Sequence, residues 1–414
     1  MDEARTNWTG VLFGFTVAVV SAFHQMKVPP VLPEMLAAYG YDALVAGGFM
    51  SIYAVTGIAV ALALGGRMQR HGALAFLYGG LALALAGSAW ALAWPANGWS
   101  VLGARGLEGL GAGILAIAGP AYCTSHASAR HLPVAAGLTA TWIPIGALAA
   151  AGLAAATAGG DPASGAQWRA VWRTGIAITL ALAGWTVWLH LRGAANLSVP
   201  AGPGTRPRPA PPPGDADRSR DRARDRIMAL VAVVFFLWSW EFIGFFTWLP
   251  ERMVSVLGQS GQGAAGLYAV PFAFVAVFNL VAAAALRRGV PVTGLLIVAL
   301  AVPAVFLALM PVAGGGWPGA VVLALFGAFV GLIPTALFSL PAHIYGRAQA
   351  GPRAFGVLMI GRNMGGIVGP LSVAALVRLG ADWPSTILFL TVIQLGAAAA
   401  ALVLHRRLAA LGRS

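Results

Sequence analysis

The sequence predicts an all-α membrane protein in which twelve transmembrane helices form two pseudo-symmetric six-helix bundles. Three observations support this fold class. Only 9% of the 414 residues are charged and 59% are hydrophobic, whereas soluble proteins contain about 25% charged residues. Apolar stretches of about 20 residues, each long enough to cross about 30 Å of hydrocarbon, recur along the chain. Short sequences of the first half of the chain also return in the second half.

Each apolar stretch is predicted to be one transmembrane span, and polar or glycine-containing segments separate consecutive stretches. The chain begins with an acidic segment that contains Asp2 and Glu3. It therefore lacks the basic region that precedes a cleaved signal peptide. The twelve spans are predicted at 9–32, 43–64, 73–94, 98–121, 134–157, 168–191, 227–249, 262–286, 290–311, 317–340, 354–377 and 384–405.

Residues 193–226 form the longest polar break in the chain. They include RPRPAPPPGDADRSRDRARDR, whose prolines and mixed charges cannot bury a hydrophobic core. The segment is predicted to be a disordered or loosely helical cytoplasmic linker. It joins an N-terminal bundle at 1–192 to a C-terminal bundle at 227–414. A short helix on lipid headgroups at 217–226 is the alternative, and the plain linker is favoured.

Similar sequences at a constant offset relate the two halves. Leu-Pro-Glu at 32–34 ends the first span, and Leu-Pro-Glu at 249–251 ends the seventh. The same offset relates Arg-His-Gly at 70–72 to Arg-Arg-Gly at 287–289, after the second and eighth spans. A duplicated six-span unit is typical of secondary transporters, in which the substrate site lies between the repeats.

The basic residues predict the orientation of the spans. Most of the 26 Lys and Arg residues lie in segments that would face the same side of the membrane. The positive-inside rule makes that side, which includes both termini, cytoplasmic. A multi-pass protein of a bacterial inner membrane is therefore expected. The formal net charge of +13 is interpreted as a topology signal, and a nucleic-acid partner is not expected.

Metal and cofactor chemistry is not expected either. Cys123 is the single cysteine, which excludes an intrachain disulfide and a cysteine-based metal cluster. The seven histidines are scattered and form no His-x-x-x-His pair, and no carboxylate cluster suggests a metal site. The glycine runs lie in apolar spans and lack the strand-turn-helix context of a phosphate-binding loop. The sequence thus predicts that the protein is not an enzyme.

The segment after the second span reads GGRMQRHG. With twelve spans in two halves and a basic central loop, it resembles the loop motif of the major facilitator superfamily. Gly65, Arg70 and Gly72 match this motif, whereas Gln69 stands at the position of the family's aspartate. In the family that acid helps to latch the two halves. The resemblance therefore implies a conformational role for this loop, with a latch that is weaker or built differently.

Further segments extend the resemblance over the whole chain. The fourth span, VLGARGLEGLGAG, is similar to the family's Arg-x-x-x-Gly-x-Gly pattern at Arg105, Gly109 and Gly111. KVPPVLP in the first span and TWIPIG in the fifth look most like the bacterial cyanate-permease and nitroimidazole-transporter group. The resemblance implies a secondary transporter, and within that group substrates that are small anions or small polar organic molecules.

Apart from Arg169 and Arg173, which are assigned to the outer end of the sixth span, five charged residues lie inside predicted spans: Lys27, Arg105, Glu108, Glu241 and Arg362. A charge near the bilayer centre costs about 2.5–3.5 kcal/mol on insertion scales, so such residues usually face a protein interior or an aqueous cavity. Three positive charges against two negative ones favour an anionic or acidic substrate. Each residue nevertheless has a structural explanation that competes with the functional one.

Lys27 is the first candidate for binding a substrate anion. His24 lies three residues earlier and therefore on the same face of the helix. Lys27 has no acid one turn away in its span, but it lies near the outer end, so snorkelling to the interface is the alternative. His24 could hydrogen-bond the substrate or relay protons, and simple packing explains it equally well.

Arg105 and Glu108 are three residues apart on the fourth span and are expected to pair. The pair is either a self-neutralising element of the helix or a switch, in which protonation of Glu108 frees Arg105 to bind an anion. Glu241 in the seventh span has no basic residue within one turn. Without a partner it is a candidate proton-coupling residue, and a static ion pair with Lys27 of the repeat-equivalent first span is the alternative.

Arg362 in the eleventh span is a second candidate for an anion ligand, and a structural contact to the nearby loops is the competing explanation. Most aromatic side chains in the spans are expected to face lipid or the interface. Five further polar or aromatic residues are weaker candidates for lining a cavity: Trp142, Trp240, Tyr53, Asn279 and Asn363.

Together these features predict a monomeric, proton-coupled transporter that takes up a small organic or inorganic anion by rocking its two halves. The main alternative is a proton-driven exporter of drugs or amphipathic compounds, which the aromatic seventh span and Glu241 would suit. The family's exporter motif, Gly-Pro-x-x-Gly-Gly in the fifth span, is replaced by WIPIG at 142–146. A receptor or scaffold without transport activity is a third possibility, which the duplicated halves make improbable.

Overall fold

The computed structural model describes residues 6–71, 74–128, 130–159, 161–192, 215–345 and 352–411. Within these ranges the chain is helical and contains no β-strand. The α-helices are α1 (Trp8–Met26), α2 (Leu32–Tyr39), α3 (Ala43–His71), α4 (Leu74–Ala93), α5 (Gly98–Ser125), α6 (Leu132–Ala140), α7 (Trp142–Thr157), α8 (Ala166–Leu191), α9 (Asp215–Ser255), α10 (Gly261–Arg287), α11 (Val292–Ala313), α12 (Trp317–Val330), α13 (Leu332–Tyr345), α14 (Pro352–Arg378) and α15 (Trp383–Leu411).

The described helices account for the twelve predicted spans. Eleven are long and apolar enough to cross a membrane, and α6 with α7 forms a further span bent by 45°. Span 1 combines α1, a short 3-10 helix at Pro29–Val31, and α2. Span 5 is α6 with α7, span 10 is α12 with α13, and each other span is one helix in chain order. The prediction of a twelve-helix membrane protein is confirmed.

The helix of span 7 begins earlier than predicted. Residues 215–226, assigned from the sequence to the linker, are the first turns of α9. A contact inside the C-terminal half supports this start, because the Tyr345 hydroxyl at the end of α13 donates a hydrogen bond of 2.7 Å to Asp225 Oδ1. The rest of the predicted linker, 193–214, lies outside the described residues.

Matching glycine contacts show that the two halves repeat. In the N-terminal half, a Cβ built on Gly146 of span 5 would lie 2.7 Å from the amide nitrogen of Phe23 in span 1. In the C-terminal half, a Cβ built on Gly365 of span 11 would lie 2.6 Å from the amide nitrogen of Trp240 in span 7. Only glycine permits such close approach of two helix backbones. The repeat seen in the sequence therefore corresponds to a repeated helix crossing.

The two halves meet along α3 and α14 on one flank and along α7 and α10 on the other. We call the side where span 6 ends and span 7 begins the linker side, and the other the far side. Toward the far side, the Ser51 hydroxyl donates a hydrogen bond of 2.8 Å to the carbonyl of Ile367. The 3-10 helix and α2 also pack there against α9. The halves are thus in contact on the far side.

Adjacent prolines cause the break in span 1. Proline has no N–H, so Pro29 cannot bond the carbonyl of Gln25 one turn earlier, and α1 ends at Met26. The chain resumes as α2, whose Glu34 carboxylate accepts hydrogen bonds from the amides of Gln167 at 2.9 Å and Trp168 at 2.6 Å. These amides lie in the first turn of α8, where a carboxylate is favoured. Glu34 therefore ties span 1 to span 6.

Candidate functional site

Lys27 and Glu108 form the centre of a fully buried group of polar side chains inside the N-terminal half, which we call the charged network. Lys27 Nζ lies 2.7 Å from Glu108 Oε1, and both side chains are inaccessible to solvent. The Lys27 amine also lies 3.2 Å from Ser88 Oγ and 3.2 Å from His24 Nδ1. The Ser88 hydroxyl donates to the same Glu108 oxygen. An ammonium group has three donors, and here each one meets an acceptor.

Hydrogen bonds at both ring nitrogens define the tautomer of His24. Because His24 Nδ1 accepts from the ammonium group of Lys27, Nε2 carries the proton and donates to Thr179 Oγ1 at 2.7 Å. The Thr179 hydroxyl in turn donates to the carbonyl of Gly175 at 2.7 Å. The arrangement therefore fits a protonated Lys27 and a neutral His24. It links span 1 to spans 3, 4 and 6.

Arg105 joins the same network and also holds the broken end of span 1. Its Nη1 lies 2.5 Å from Glu108 Oε2 and donates to the carbonyl of His24 at 2.8 Å. Nη2 donates to the carbonyl of Gln25 at 3.2 Å, which Pro29 leaves without its helical partner. Arg105 thus pairs with Glu108, as predicted, and also serves as a cap for α1.

Two aromatic rings cover the cations. Trp172 lies on Lys27, with 4.2 Å between Nζ and the ring centroid, and Tyr53 lies on Arg105 at 4.0 Å. The Tyr53 hydroxyl accepts from Arg105 Nη1 at 3.1 Å and donates to Glu108 Oε2 at 3.3 Å. Such cation–π contacts are strongest away from water. Tyr53 therefore belongs to the charged network.

Close helix approach places Ser88 in the network. A Cβ built on Gly87 would lie 2.6 Å from the amide nitrogen of Glu108, so only a glycine fits between α4 and α5. This approach brings the neighbouring Ser88 to the Glu108 carboxylate. Ser88, Trp172 and Thr179 were not identified from the sequence. A glycine before a serine in an apolar span is a weak signal, and nothing in the sequence marks the other two.

The network carries an unbalanced charge. Two cations, Lys27 and Arg105, share the single carboxylate of Glu108, and all three are fully buried. Lys27 is also the only lysine in the sequence. Its amine points into the N-terminal half, toward spans 3, 4 and 6, and not toward the surface between the halves. A buried charge without compensation is costly. Binding of an anion nearby, or loss of the Lys27 proton, would remove this cost.

Glu241 lies fully buried in the C-terminal half. Neither of its carboxylate oxygens has a hydrogen-bond partner in the described part of the chain. A pairing with Lys27, considered from the sequence, is wrong, because Lys27 binds Glu108 in the other half. Both Glu241 and His24 precede a Leu-Pro-Glu sequence by the same distance, so they occupy equivalent positions of the repeat. An isolated carboxyl in such surroundings is favoured in its neutral form.

The other predicted site residues lie apart from the network. Arg362 is partly exposed, and its Nη1 donates to Asn363 Oδ1 at 3.2 Å. Trp240 Nε1 donates to Ser372 Oγ at 2.8 Å inside the C-terminal half, which is a packing role. Trp142 is half-buried at the start of α7. Of the loop motif, Gly65 and Arg70 lie in α3, and Gly72 lies outside the described residues.

Asn279 bridges the two halves near the linker side. Pro144 cannot bond the carbonyl of Ala140 one turn earlier, and span 5 bends there. Asn279 Nδ2 on span 8 donates to this carbonyl at 3.3 Å, and its Oδ1 accepts from the Thr335 hydroxyl of span 10 at 3.1 Å. Asn279 thus satisfies the carbonyl that Pro144 leaves without a hydrogen bond, and it connects the two halves by a side-chain hydrogen bond.

Asn279→Leu is expected to loosen the contact between the halves on the linker side, because leucine cannot donate to the span 5 carbonyl. Spin labels at Leu132 and Arg288, in a Cys123→Ser background, would report the separation of the halves there. We expect a larger long-distance population in the variant. Thr335→Val is the matched control, since it removes only the bond within the C-terminal half. Identical distance distributions for Asn279→Leu and the unmutated protein would contradict the bridge.

These features define the class of protein. Two repeated six-helix bundles with an ionisable network inside the membrane-spanning region are the architecture of a secondary transporter. The sequence profile described as Major Facilitator Superfamily matches residues 14–370, and the chain belongs to this family. No match is found among curated protein sequences.

Three solved transporter structures show the same fold. The nucleoside transporter NupG is 14% identical, with a TM-score of 0.71 over 96% of this chain and 99% of that one. The xylose transporter XylE from E. coli, in a partially occluded inward-open conformation, is 13% identical, with a TM-score of 0.66 over 95% and 97%. A D-xylose-proton symporter is 14% identical, with a TM-score of 0.69 over 95% and 96%. At these identities the likeness concerns the fold.

Proposed function

We propose that the protein is a proton-coupled secondary transporter that takes up a small organic or inorganic anion by alternating access between its halves. One observation carries this proposal: Lys27 and Arg105 are fully buried and share the single carboxylate of Glu108. The network therefore has an excess positive charge when Lys27 is protonated. A bound anion would balance that charge, whereas a cationic substrate would increase the imbalance.

The same network supplies a means of coupling. When Lys27 loses its proton, Arg105 and Glu108 remain as a neutral pair, and the network no longer favours an anion. Proton binding and anion binding therefore strengthen each other, and this coupling is reciprocal by linkage. Favourable coupling between a proton and an anion is the thermodynamic basis of symport. Glu241, which is buried without a partner, is proposed as a second proton-carrying group in the C-terminal half.

The remaining features of the proposal follow the sequence. The protein would act as a monomer in a bacterial inner membrane, with both termini cytoplasmic, an N-terminal bundle at 1–192 and a C-terminal bundle whose first helix, α9, begins at Asp215. Arg362 and Asn363 would contact substrate when the halves separate, because Asn363 faces Gly57 of span 2 and Arg362 donates a hydrogen bond to Asn363. KVPPVLP and TWIPIG support a place in the cyanate-permease and nitroimidazole-transporter group. No catalytic step is proposed.

Lys27→Met is expected to reduce anion uptake about 30-fold or more, because losing a buried charge contact costs about 2–5 kcal/mol. The assay uses sealed vesicles that are acidic outside, with a pH dye inside and nitrate, cyanate, acetate or benzoate outside. Neutral acetic and benzoic acid cross a bilayer unaided, so acidification is compared with that of protein-free vesicles. Unmutated protein should exceed those vesicles only when a transported anion is present. Arg192→Met, which removes an exposed cation at the end of α8, is the control and should keep full activity. Retained uptake in Lys27→Met would refute the proposal.

The protonation of Lys27 can be observed directly. Since Lys27 is the only lysine, labelling lysine with ¹⁵N gives one side-chain Nζ signal, whose shift reports the protonation state. At a pH where Lys27 is neutral, a transported anion should return the signal to the position of the protonated amine.

Glu241→Gln in the same vesicles tests whether Glu241 is the second proton-carrying group. Accumulation of the anion against a gradient should fall, while downhill flux of the anion continues. Substrates limited to amphipathic cations would instead support the exporter.

A further inference from the structure

A small cavity lies between the two halves, separate from the charged network. Its N-terminal wall contains Met26, Pro29 and Met50, and its C-terminal wall contains Phe242, Phe246 and Tyr268. Both walls are mainly apolar, and their side chains are buried. Thr247 also lines the cavity, but its hydroxyl already donates to the carbonyl of Ile243. In this closed arrangement the halves nearly fill the space. A cavity at this junction opens to one side whenever the halves rock apart, so a substrate can enter it.

The C-terminal wall is a continuous aromatic surface. The ring centroids of Phe242 and Phe246 are 4.7 Å apart, and those of Phe246 and Phe272 are 4.6 Å apart. Tyr268 packs on Phe272 at 5.0 Å, and Trp238 packs on Phe242 at 5.2 Å. Aromatic rings offer large apolar area at low entropic cost, and they favour ring-on-ring contacts. The methionines opposite adapt their shape and contact rings through sulfur. This lining suits a flat apolar body.

Two buried hydrogen-bond donors at this surface have no partner. The Tyr268 hydroxyl and Trp238 Nε1 are both buried and make no hydrogen bond within the described ranges. Buried polar groups are normally satisfied, and each exception requires an explanation. A substrate oxygen that accepts a hydrogen bond from Tyr268 would satisfy one of them. The cavity therefore fits a ligand with an apolar body and an oxygen acceptor.

The charged network lies directly behind the N-terminal wall. Met26 precedes Lys27 in the chain, and Met50 follows Phe49, whose carbonyl accepts from Arg105 Nε at 3.3 Å. The cavity and the network therefore occupy opposite faces of the same segments of spans 1 and 2. The excess positive charge acts across a wall of low polarity, where it is weakly screened. An acidic group in the cavity would be attracted to that wall.

We propose that the substrate is a monocarboxylic acid with an apolar, preferably aromatic, body. The body lies between Met26 and Met50 on one side and Phe242 and Phe246 on the other. A carboxylate oxygen accepts a hydrogen bond from Tyr268, and the carboxylate charge is balanced by the network behind the wall. This inference rests on the proposed anion transport and narrows it to one class of anion. It also assigns substrate contacts to residues that the polar pattern of the sequence did not mark.

Matched ligands test the inference on the purified full chain. Acetate, cyclohexanecarboxylate and benzoate vary the body of an acid, whereas benzyl alcohol and benzylammonium keep the ring and change the charge. Binding is measured by tryptophan fluorescence and by the rise in melting temperature that a ligand of the folded state causes. Benzoate should bind at least about tenfold more tightly than acetate, which corresponds to about 1.4 kcal/mol. Benzyl alcohol and benzylammonium should bind more weakly than benzoate.

Variants test the placement of the ligand. Tyr268→Phe removes only the unpartnered hydroxyl and should weaken benzoate binding about five- to tenfold. Phe242→Ala should weaken benzoate and leave acetate unchanged. Phe274→Ala, on the same helix as Tyr268 but 39% exposed, is the control and should bind benzoate normally. Each variant is first required to melt within a few degrees of the unmutated protein, and Tyr268→Phe is expected to meet that condition because a phenyl ring fills the same space.

The outcomes separate this inference from the proposed function. Equal affinity for acetate and benzoate, or benzoate binding that Tyr268→Phe does not change, would overturn the aromatic-acid inference and leave anion transport standing. Tighter binding of benzylammonium than of benzoate would overturn both. Benzoate preference that is lost in Tyr268→Phe and Phe242→Ala and kept in Phe274→Ala would support both.

Discussion

Glu108→Gln is expected to destabilise the protein more than any other single substitution in the charged network. It removes the one negative charge that two buried cations, Lys27 and Arg105, share at 2.7 and 2.5 Å, and it places an amide NH2 group beside one of them. Removing one partner of a buried ion pair costs about 3–5 kcal/mol, because it leaves an uncompensated charge inside the protein. Here two charges lose their partner at once. The effect is measured by thermal melting of the purified protein, with loss of monodispersity as the signal for unfolding.

Lys27→Met provides the matched control for this prediction. It removes one cation from the same network but leaves Arg105 and Glu108 as a neutral pair at 2.5 Å. Methionine also fills nearly the same volume against Trp172. The melting temperature of Lys27→Met should therefore lie close to that of the unmutated protein, far above that of Glu108→Gln. Equal melting temperatures for the two variants would show that the network carries no excess positive charge.

Arg105→Lys is expected to have the second largest effect, although it conserves charge. The guanidinium group reaches three backbone carbonyls in different directions, those of Phe49 at 3.3 Å, His24 at 2.8 Å and Gln25 at 3.2 Å. A lysine ammonium on a shorter, unforked side chain cannot reach all of them. The unfolding free energy should fall by about 3 kcal/mol or more, since hydrogen bonds to charged groups contribute about 1.5–3 kcal/mol each.

A second arginine tests whether this loss is specific. Arg169 also uses its guanidinium group for two hydrogen bonds, to the Ser164 carbonyl at 2.9 Å and the Tyr39 hydroxyl at 2.9 Å. It lies near the start of α8 and is partly exposed, so water can replace its contacts. Arg169→Lys should change the melting temperature little. If Arg105→Lys were equally mild, the carbonyls at the end of α1 would not depend on the guanidinium group.

The fold was predictable because its signal is local and repeated. Each span is an apolar stretch, and the bilayer requires the backbone of such a stretch to satisfy its own hydrogen bonds. The pairing of Arg105 with Glu108 was predictable for the same reason, since residues three apart share a helix face. The breaks of spans 1 and 5 occur at prolines, but both spans were predicted as continuous helices, and the sequence did not show which side chains would meet the freed carbonyls. The largest boundary difference is the start of α9 at Asp215, twelve residues before the predicted 227. Spans 1 and 2 also end seven residues later than predicted, at Tyr39 and His71.

The candidate site was predictable only in part, because its contacts join distant spans. Composition and spacing identified Lys27, Arg105, Glu108 and Glu241 as charges that a membrane interior does not tolerate without a reason. The partner of Lys27 depended on the crossing of spans 1 and 4, and the isolation of Glu241 depended on the packing of the other half. Both are properties of helix packing, which arises from close glycine contacts between spans and leaves no periodic pattern along the chain. The sequence by itself thus determined the class of the protein and its membrane charges, and only the tertiary structure decided how those charges pair.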